Sequence, residues 1–265
     1  QTRLPERVEP RLFAAAIARA TGAETVVNRV TVHASFAEQR NWLCETYHRY
    51  GIRDLILVGG ESQQVTYCGP GVVETASIVA EEGLPYLLGG ITIPHRPKEA
   101  ARVRDKARHG IRFFTTQVLL DAKDVVALLQ QLEGLNVRVL LSFTPVSHPR
   151  DLQFLEWLGV ELPPKFVREI QQASGPEAAV EISFALARRI LEEVFRSLPP
   201  GAPAVGLQIE RITKRNSASA LRMLAELGEF YRTLLRNRYP KEGGAAPAAP
   251  DRRQRSRSLE SRQQP

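Results

Sequence analysis

The sequence predicts an α/β fold organised on a parallel β-sheet. Short apolar runs of strand length recur along the chain, and stretches with a helical apolar period separate them. Six such strand-then-helix units follow one another, which implies parallel strands joined by right-handed crossovers. With 265 residues, 43% hydrophobic and 25% charged, the chain has enough apolar material for one large core.

The elements follow in order. A helix is predicted from Pro10 to Ala20, with Leu12, Phe13, Ala16, Ile17 and Ala20 on one face. A strand runs from Val26 to Ala34. Ser35 then caps a helix to about Tyr50, with Glu38 completing a capping box and Gly51 ending it. Asp54 to Gly60 is the next strand, Pro70 to Glu82 a helix closed by Gly83, and Pro85 to Thr92 a strand. A helix from Lys98 to His109, with Gly110 as its C-cap, leads into the apolar run around Phe113 to Leu120. Asp121 opens a helix to Leu132, and Arg138 to Thr144 reads as a buried strand. Helical segments around Asp151 to Trp157, Pro164 to Ser174 and Glu177 to Ser197 precede a strand from Ala204 to Arg211. The last helix covers Ser217 to Arg236.

Composition excludes several classes. Cys44 and Cys68 are too few for a disulfide framework, and no Cys/His grouping has metal-ligand spacing. A reducing cytoplasm fits this usage best. No apolar run reaches the roughly 18 residues of a membrane span, and no signal-peptide pattern opens the chain. The formal net charge is +7, but the stretch from Lys241 to Pro265 alone holds six basic and three acidic residues. That stretch has no periodicity and little apolar content, so it reads as a basic disordered tail following a domain over residues 1–239. It lacks the aromatic residues that would stack on bases, so a nucleic-acid partner is not expected.

Gln117 is the most informative single residue. It is a primary amide near the end of an apolar strand, where it must find partners or cost a few kcal/mol. Chemistry in such folds gathers where strands end. The sheet is either open and doubly wound or a closed barrel. No Gly-x-Gly-x-x-Gly follows the first strand, and Gly59-Gly60-Glu61-Ser62 lacks the lysine and spacing of a phosphate loop. A barrel needs eight strands where six are counted, and the chain begins on a helix. Either the sheet is open, or a β-α-β piece precedes residue 1.

The segment Gly110-Ile-Arg-Phe-Phe-Thr-Thr-Gln117-Val-Leu-Leu-Asp121 resembles the Gly-Ala-x-x-x-x-Thr-Gln-x-x-x-Asp segment of the methylenetetrahydrofolate reductases. Tyr50-Gly51-Ile52-Arg53-Asp54 through Gly60-Glu61 is similar to that family's Gly-Ile-x-x-(strand)-Arg-Gly-Asp, and Arg138 to Ser147 to its segment ending Pro-Val-Ser. The resemblance covers residues from about 6 to 237. It implies a (β/α)8 TIM barrel in which this chain supplies about six β/α units, strands three to eight, without the first β-α-β. It also implies reduction of 5,10-methylenetetrahydrofolate to 5-methyltetrahydrofolate, in one-carbon metabolism and methionine biosynthesis.

Site roles follow from the same resemblance. Gln117 matches the glutamine that hydrogen-bonds the pterin, which suits an amide carrying both donor and acceptor. The alternative reading of Gln117 is a core amide satisfied by Thr115 or by backbone. Glu61 matches an Asp beside the flavin that assists hydride exchange, which makes it the candidate catalytic residue, with a solvated loop carboxylate as the alternative, and Gly59 replaces the Arg before it. Lys106 matches a flavin-phosphate contact, although its helix period places it on a solvated face. Asn28-Arg29-Val30-Thr31 stands where flavin-dependent members have Pro-His-Leu-Thr, and His95 is displaced from the family's histidine. Arg29, Gly60, Glu61, His95 and Lys106 are thus the candidate cofactor contacts, with several FAD contacts absent together. The pattern resembles flavin-independent members that take hydride from NAD(P)H. Gln208 and Glu210 share one face of the last strand, where Glu210 either binds the aminopyrimidine edge of a pterin or pairs with Arg211 or Lys214. Ser142 and Thr144 end the preceding strand and either add hydrogen bonds to a ligand or bond backbone. The family's acid is a glutamate on its first strand, to which no residue here corresponds. A noncatalytic folate-binding or partner-regulating protein is the alternative.

Overall fold

The computed structural model describes residues 8–60 and 66–239. Nine helices and six strands are described, in the order α1 (Pro10–Thr21), β1 (Val26–Val30), α2 (Phe36–His48), β2 (Asp54–Val58), α3 (Val72–Glu81), β3 (Leu87–Thr92), α4 (Glu99–Arg108), β4 (Ile111–Val118), α5 (Lys123–Gln131), β5 (Arg138–Phe143), α6 (Pro149–Trp157), α7 (Pro164–Gln172), α8 (Pro176–Ser197), β6 (Ala204–Ile209) and α9 (Ser217–Arg238). All six strands are parallel and their spatial order is strictly sequential, β1-β2-β3-β4-β5-β6. Sequential order decides between the two sheet types. A doubly wound sheet reverses its strand order at a switch point, whereas right-handed crossovers that always step the same way place every helix on one face. The chain is therefore a partial (β/α) barrel, with β1 and β6 at the two edges of the described sheet.

Packing follows from this one-sided winding. Leu55, Leu57, Leu88, Ile111 and Phe114 project toward the helices and meet Leu43, Val79, Val103 and Leu132 in one core cluster. Val139, Leu141 and Phe143 meet Phe184, Ile190, Leu191 and Val194 in a second. Each such side chain contributes about 1.5–3 kcal/mol through burial. On the opposite face, bulky residues fill space left by glycines. A Cβ on Gly89 would lie 2.3 Å from the Phe113 ring, and one on Gly206 2.5 Å from Leu140.

Local signals set the helix ends. The Ser35 side chain accepts from Glu38 N while the Glu38 carboxylate accepts from Ser35 N at 2.8 Å, forming the capping box the sequence implies. Ser35→Ala is expected to cost about 1 kcal/mol, measurable by urea denaturation; no change would mean that α2 is held by packing alone. Gly51, Gly83 and Gly110 all take positive φ where helices end.

Several boundaries differ from expectation. The first strand stops at Val30 rather than Ala34, because the chain turns over Thr31–Ser35 to present the Ser35 cap. The Pro70 helix begins at Val72, with Gly71 N donating to Glu74 at 2.6 Å. Asp121 precedes α5 rather than opening it, its carboxylate accepting from Lys123 N. In α1 the buried residues are Ala14 and Ala15, while Leu12 and Phe13 are exposed. The small alanine face lets α1 lie close, and the Arg11 guanidinium covers the Trp42 and Tyr50 rings instead. The tail from Lys241 to Pro265 lies outside the described residues.

Candidate functional site at the carboxyl ends of the last strands

Strand alternation builds the first part of the site. Val139, Leu141 and Phe143 of β5 face the helices, so Leu140, Ser142 and, past the strand end, Thr144 face the barrel interior. On β6, Val205, Leu207 and Ile209 take the helix side and leave Gly206, Gln208 and Glu210 on the interior face. Ser142 pairs in register with Gln208. Four expected site residues and their neighbours thus converge on one patch.

Hydrogen bonds fix this patch. Glu210 N donates to Phe143 O at 2.8 Å, carrying the ladder one step past β6. Thr144 Oγ1 donates to Glu210 O at 2.8 Å, so the Thr144 hydroxyl bonds backbone, the commoner of its two expected roles. Gln208 Nε2 donates to Glu210 Oε1 at 3.1 Å. Ser142 Oγ is buried and has no hydrogen-bond partner of its own. Burial pushes the Glu210 carboxyl above the ordinary carboxylate range, opposed by the Ser142 hydroxyl and the Gln208 amide. The expected alternative pairing with Arg211 or Lys214 does not form. Arg211 turns to Ser217 Oγ, Lys214 makes no ion pair among the described residues, and Arg215 reaches Asp151 instead. The arrangement is a desolvated carboxylate held by neutral donors, and it is suited to accept N–H groups from a ligand.

Three buried polar residues hold the loop after β5. Asp151, fully buried in the first turn of α6, accepts from Ser147 N, Ser147 Oγ and His148 N at 3.0–3.1 Å. Ser183 Oγ of α8 accepts from Val146 N, and Asn216 Nδ2 donates to Pro145 O. Asp151 is the N3 residue of a capping box that His148 opens, although the sequence marked only a helical segment around it. Ser183 and Asn216 carried no sequence signal, since each bonds backbone far along the chain.

Gln117 lies elsewhere at the same end of the sheet. It is half-buried rather than enclosed, and its Nε2 donates to Leu158 O at 2.8 Å. The backbone partner thus comes from beyond α6. One N–H and the amide oxygen are left for a ligand. Gln117 shares a cleft with Pro94, His95, Asp121, Asp124, Val160 and Glu161, and His95 Nε2 stands 4.0 Å from Glu161 Oε1.

The remaining candidates do not join these two groups. Arg29 turns to the helix layer, where Nε donates to Gln39 Oε1 at 3.0 Å and the guanidinium lies over the Trp42 ring. Lys106 is not on a solvated face. Its ammonium is drawn inward to donate to Ile91 O at 2.8 Å, and burial lowers its pKa. Gly60 is exposed beside the Tyr67 ring. Glu61 lies outside the described residues. Among the described residues no group of acidic, His or Cys side chains has the arrangement of a metal site, and no helix is long and apolar enough to cross a membrane.

No protein-family model and no curated protein matches the sequence. Solved structures do match the fold. An uncharacterized protein from Clostridium thermocellum that binds two copies of 5-methyl-5,6,7,8-tetrahydrofolic acid is similar over 84% of this chain and 79% of its own, at 16% identity and a TM-score of 0.67. Looser similarity extends to oxaloacetate acetylhydrolase in complex with oxalate (13% identity, 96% of this chain and 74% of that one, TM-score 0.44) and a thermostable aldo-keto reductase (15%, 85% and 76%, TM-score 0.46).

Proposed function

We propose that the chain is a divergent relative of the methylenetetrahydrofolate reductases that binds a reduced folate at the carboxyl ends of β4 to β6. In this reading it reduces 5,10-methylenetetrahydrofolate to 5-methyltetrahydrofolate. The observation that carries the reading is Glu210: a carboxylate on the interior face, partly desolvated, with no cation beside it. A 2-amino-4-oxopyrimidine edge presents two adjacent N–H donors, which match one carboxylate bidentately. Gln117 stands two strands away, about 10 Å by normal strand spacing, within the length of a folate. The fold shared with a 5-methyltetrahydrofolate-binding protein supports the same ligand class.

The chemistry asks for a proton at the bridge nitrogen, to open the five-membered ring, and then for hydride at the exposed iminium carbon. Hydride comes from NAD(P)H in this reading. Arg29, engaged with Gln39 in the helix layer, and Lys106, engaged with the Ile91 carbonyl of β3, support a site without flavin. The residues at the mouth bind and orient: Glu210 holds the donor edge, and Gln117, itself oriented by Leu158 O, meets a second polar edge.

Folate-dependent NADH oxidation tests the reading, with Gln117→Ala expected to lower kcat/KM about tenfold through loss of one or two hydrogen bonds. Unchanged turnover would end the Gln117 assignment. Tight 5-methyltetrahydrofolate binding without any turnover would favour the noncatalytic alternative, a folate-binding or partner-regulating protein.

A further inference from the structure

We propose that Gln208 is a positioning residue: its side-chain amide donates to one lone pair of one Glu210 oxygen and so turns the carboxylate's two-oxygen edge toward the ligand space, and it does not itself touch the ligand. The inference rests on the folate reading and assigns a division of labour within that site. Gln208 and Glu210 are two residues apart on one face of β6, and the Gln208 Nε2–Glu210 Oε1 bond is 3.1 Å. Glu210 is also fixed at both backbone groups, by Phe143 O and Thr144 Oγ1. With the main chain immobile and one oxygen clamped, the side chain keeps little rotational freedom. An amide is the right clamp, because it offers a donor without neutralising the charge that a ligand must meet.

The surroundings leave this role to Gln208. On β5 the interior neighbours Ser142 and Thr144 are neutral. On the β6–α9 loop Arg211 is turned to Ser217 Oγ, Arg215 to the buried Asp151 of α6, and Lys214 is exposed without an ion pair among the described residues. The Gln208 amide and the Ser142 hydroxyl are the side chains that favour the ionised form against burial. Burial raises the pH at which Glu210 becomes an acceptor, and Gln208, after Ser142, brings it back down.

The test compares Gln208→Met, which keeps the volume and removes the amide, with the full wild-type chain. Two readouts are taken: the pH dependence of 5-methyltetrahydrofolate affinity, and the carbon-13 NMR titration of Glu210 in ligand-free protein. The clamp predicts affinity about tenfold weaker at pH values below the wild-type Glu210 midpoint, recovery above the variant's midpoint, and a Glu210 midpoint raised by about one unit in both readouts. A loss that is equal at every pH, with an unmoved NMR midpoint, overturns the proposal and makes Gln208 a direct contact. If Gln208→Met does not fold, Gln208→Asn shortens the clamp and must move the midpoint in the same direction. Absence of folate binding by the wild type would sink the functional reading, while the ligand-free titration would still decide the role of Gln208.

Discussion

Glu210→Gln is expected to weaken 5-methyltetrahydrofolate binding by about a hundredfold, the loss of roughly 2–3 kcal/mol for charge-assisted hydrogen bonds replaced by one neutral contact. The substitution keeps shape, so it isolates charge. The pH dependence carries more information than the magnitude. Only ionised Glu210 accepts two N–H donors, and burial raises its pKa. Wild-type affinity should therefore rise with pH through that raised value and level off above it, whereas the variant should stay flat across the same window.

Stability should move the opposite way. With its folded pKa above the unfolded one, Glu210 takes up protons more readily in the native state. Its contribution to stability is fully present below the ordinary carboxylate value and is lost as pH rises through the raised value. Glu210→Gln should then be at least as stable as wild type at neutral pH. That result separates a binding defect from unfolding, and a variant both unstable and nonbinding would mean that Glu210 is structural.

Asp151→Ala is expected to destabilise the fold by about 3 kcal/mol in urea denaturation. Asp151 is fully buried and accepts from two backbone N–H groups and the Ser147 hydroxyl, with Arg215 on its second oxygen at 3.4 Å. Removing it leaves three part-buried donors unpaired, each worth about 1 kcal/mol or more, while the exposed Arg215 finds water and adds little. The loop it holds runs from Thr144, which bonds the Glu210 carbonyl, so folate affinity should fall as well. A loss under 0.5 kcal/mol would show that water replaces the carboxylate and that the loop is held by Ser183 and Asn216.

The order of elements was readable because apolar period and capping chemistry are local. Ser35 with Glu38, and the glycines at 51, 83 and 110, mark helix ends through forces acting within a turn. The choice between open and barrel sheets was not local, since it depends on which way each crossover steps, and only the sequential strand order decides it. Gln208 and Glu210 were placed on one face by the two-residue strand period, yet their mutual hydrogen bond depends on rotamers. Gln117 was singled out as an amide needing a partner, but the partner is a carbonyl 41 residues away. Lys106 misleads for a related reason: its helix position reads as solvated, while a long flexible stem carries the ammonium inward to Ile91 O.

Calorimetric titration of 5-methyltetrahydrofolate into the wild-type chain and Glu210→Gln, at several pH values, tests the central claim most directly. The predicted result is wild-type binding that strengthens as pH rises and a variant about a hundredfold weaker with no pH dependence in that window. Equal affinity of the two proteins, or no binding by the wild type, would contradict it.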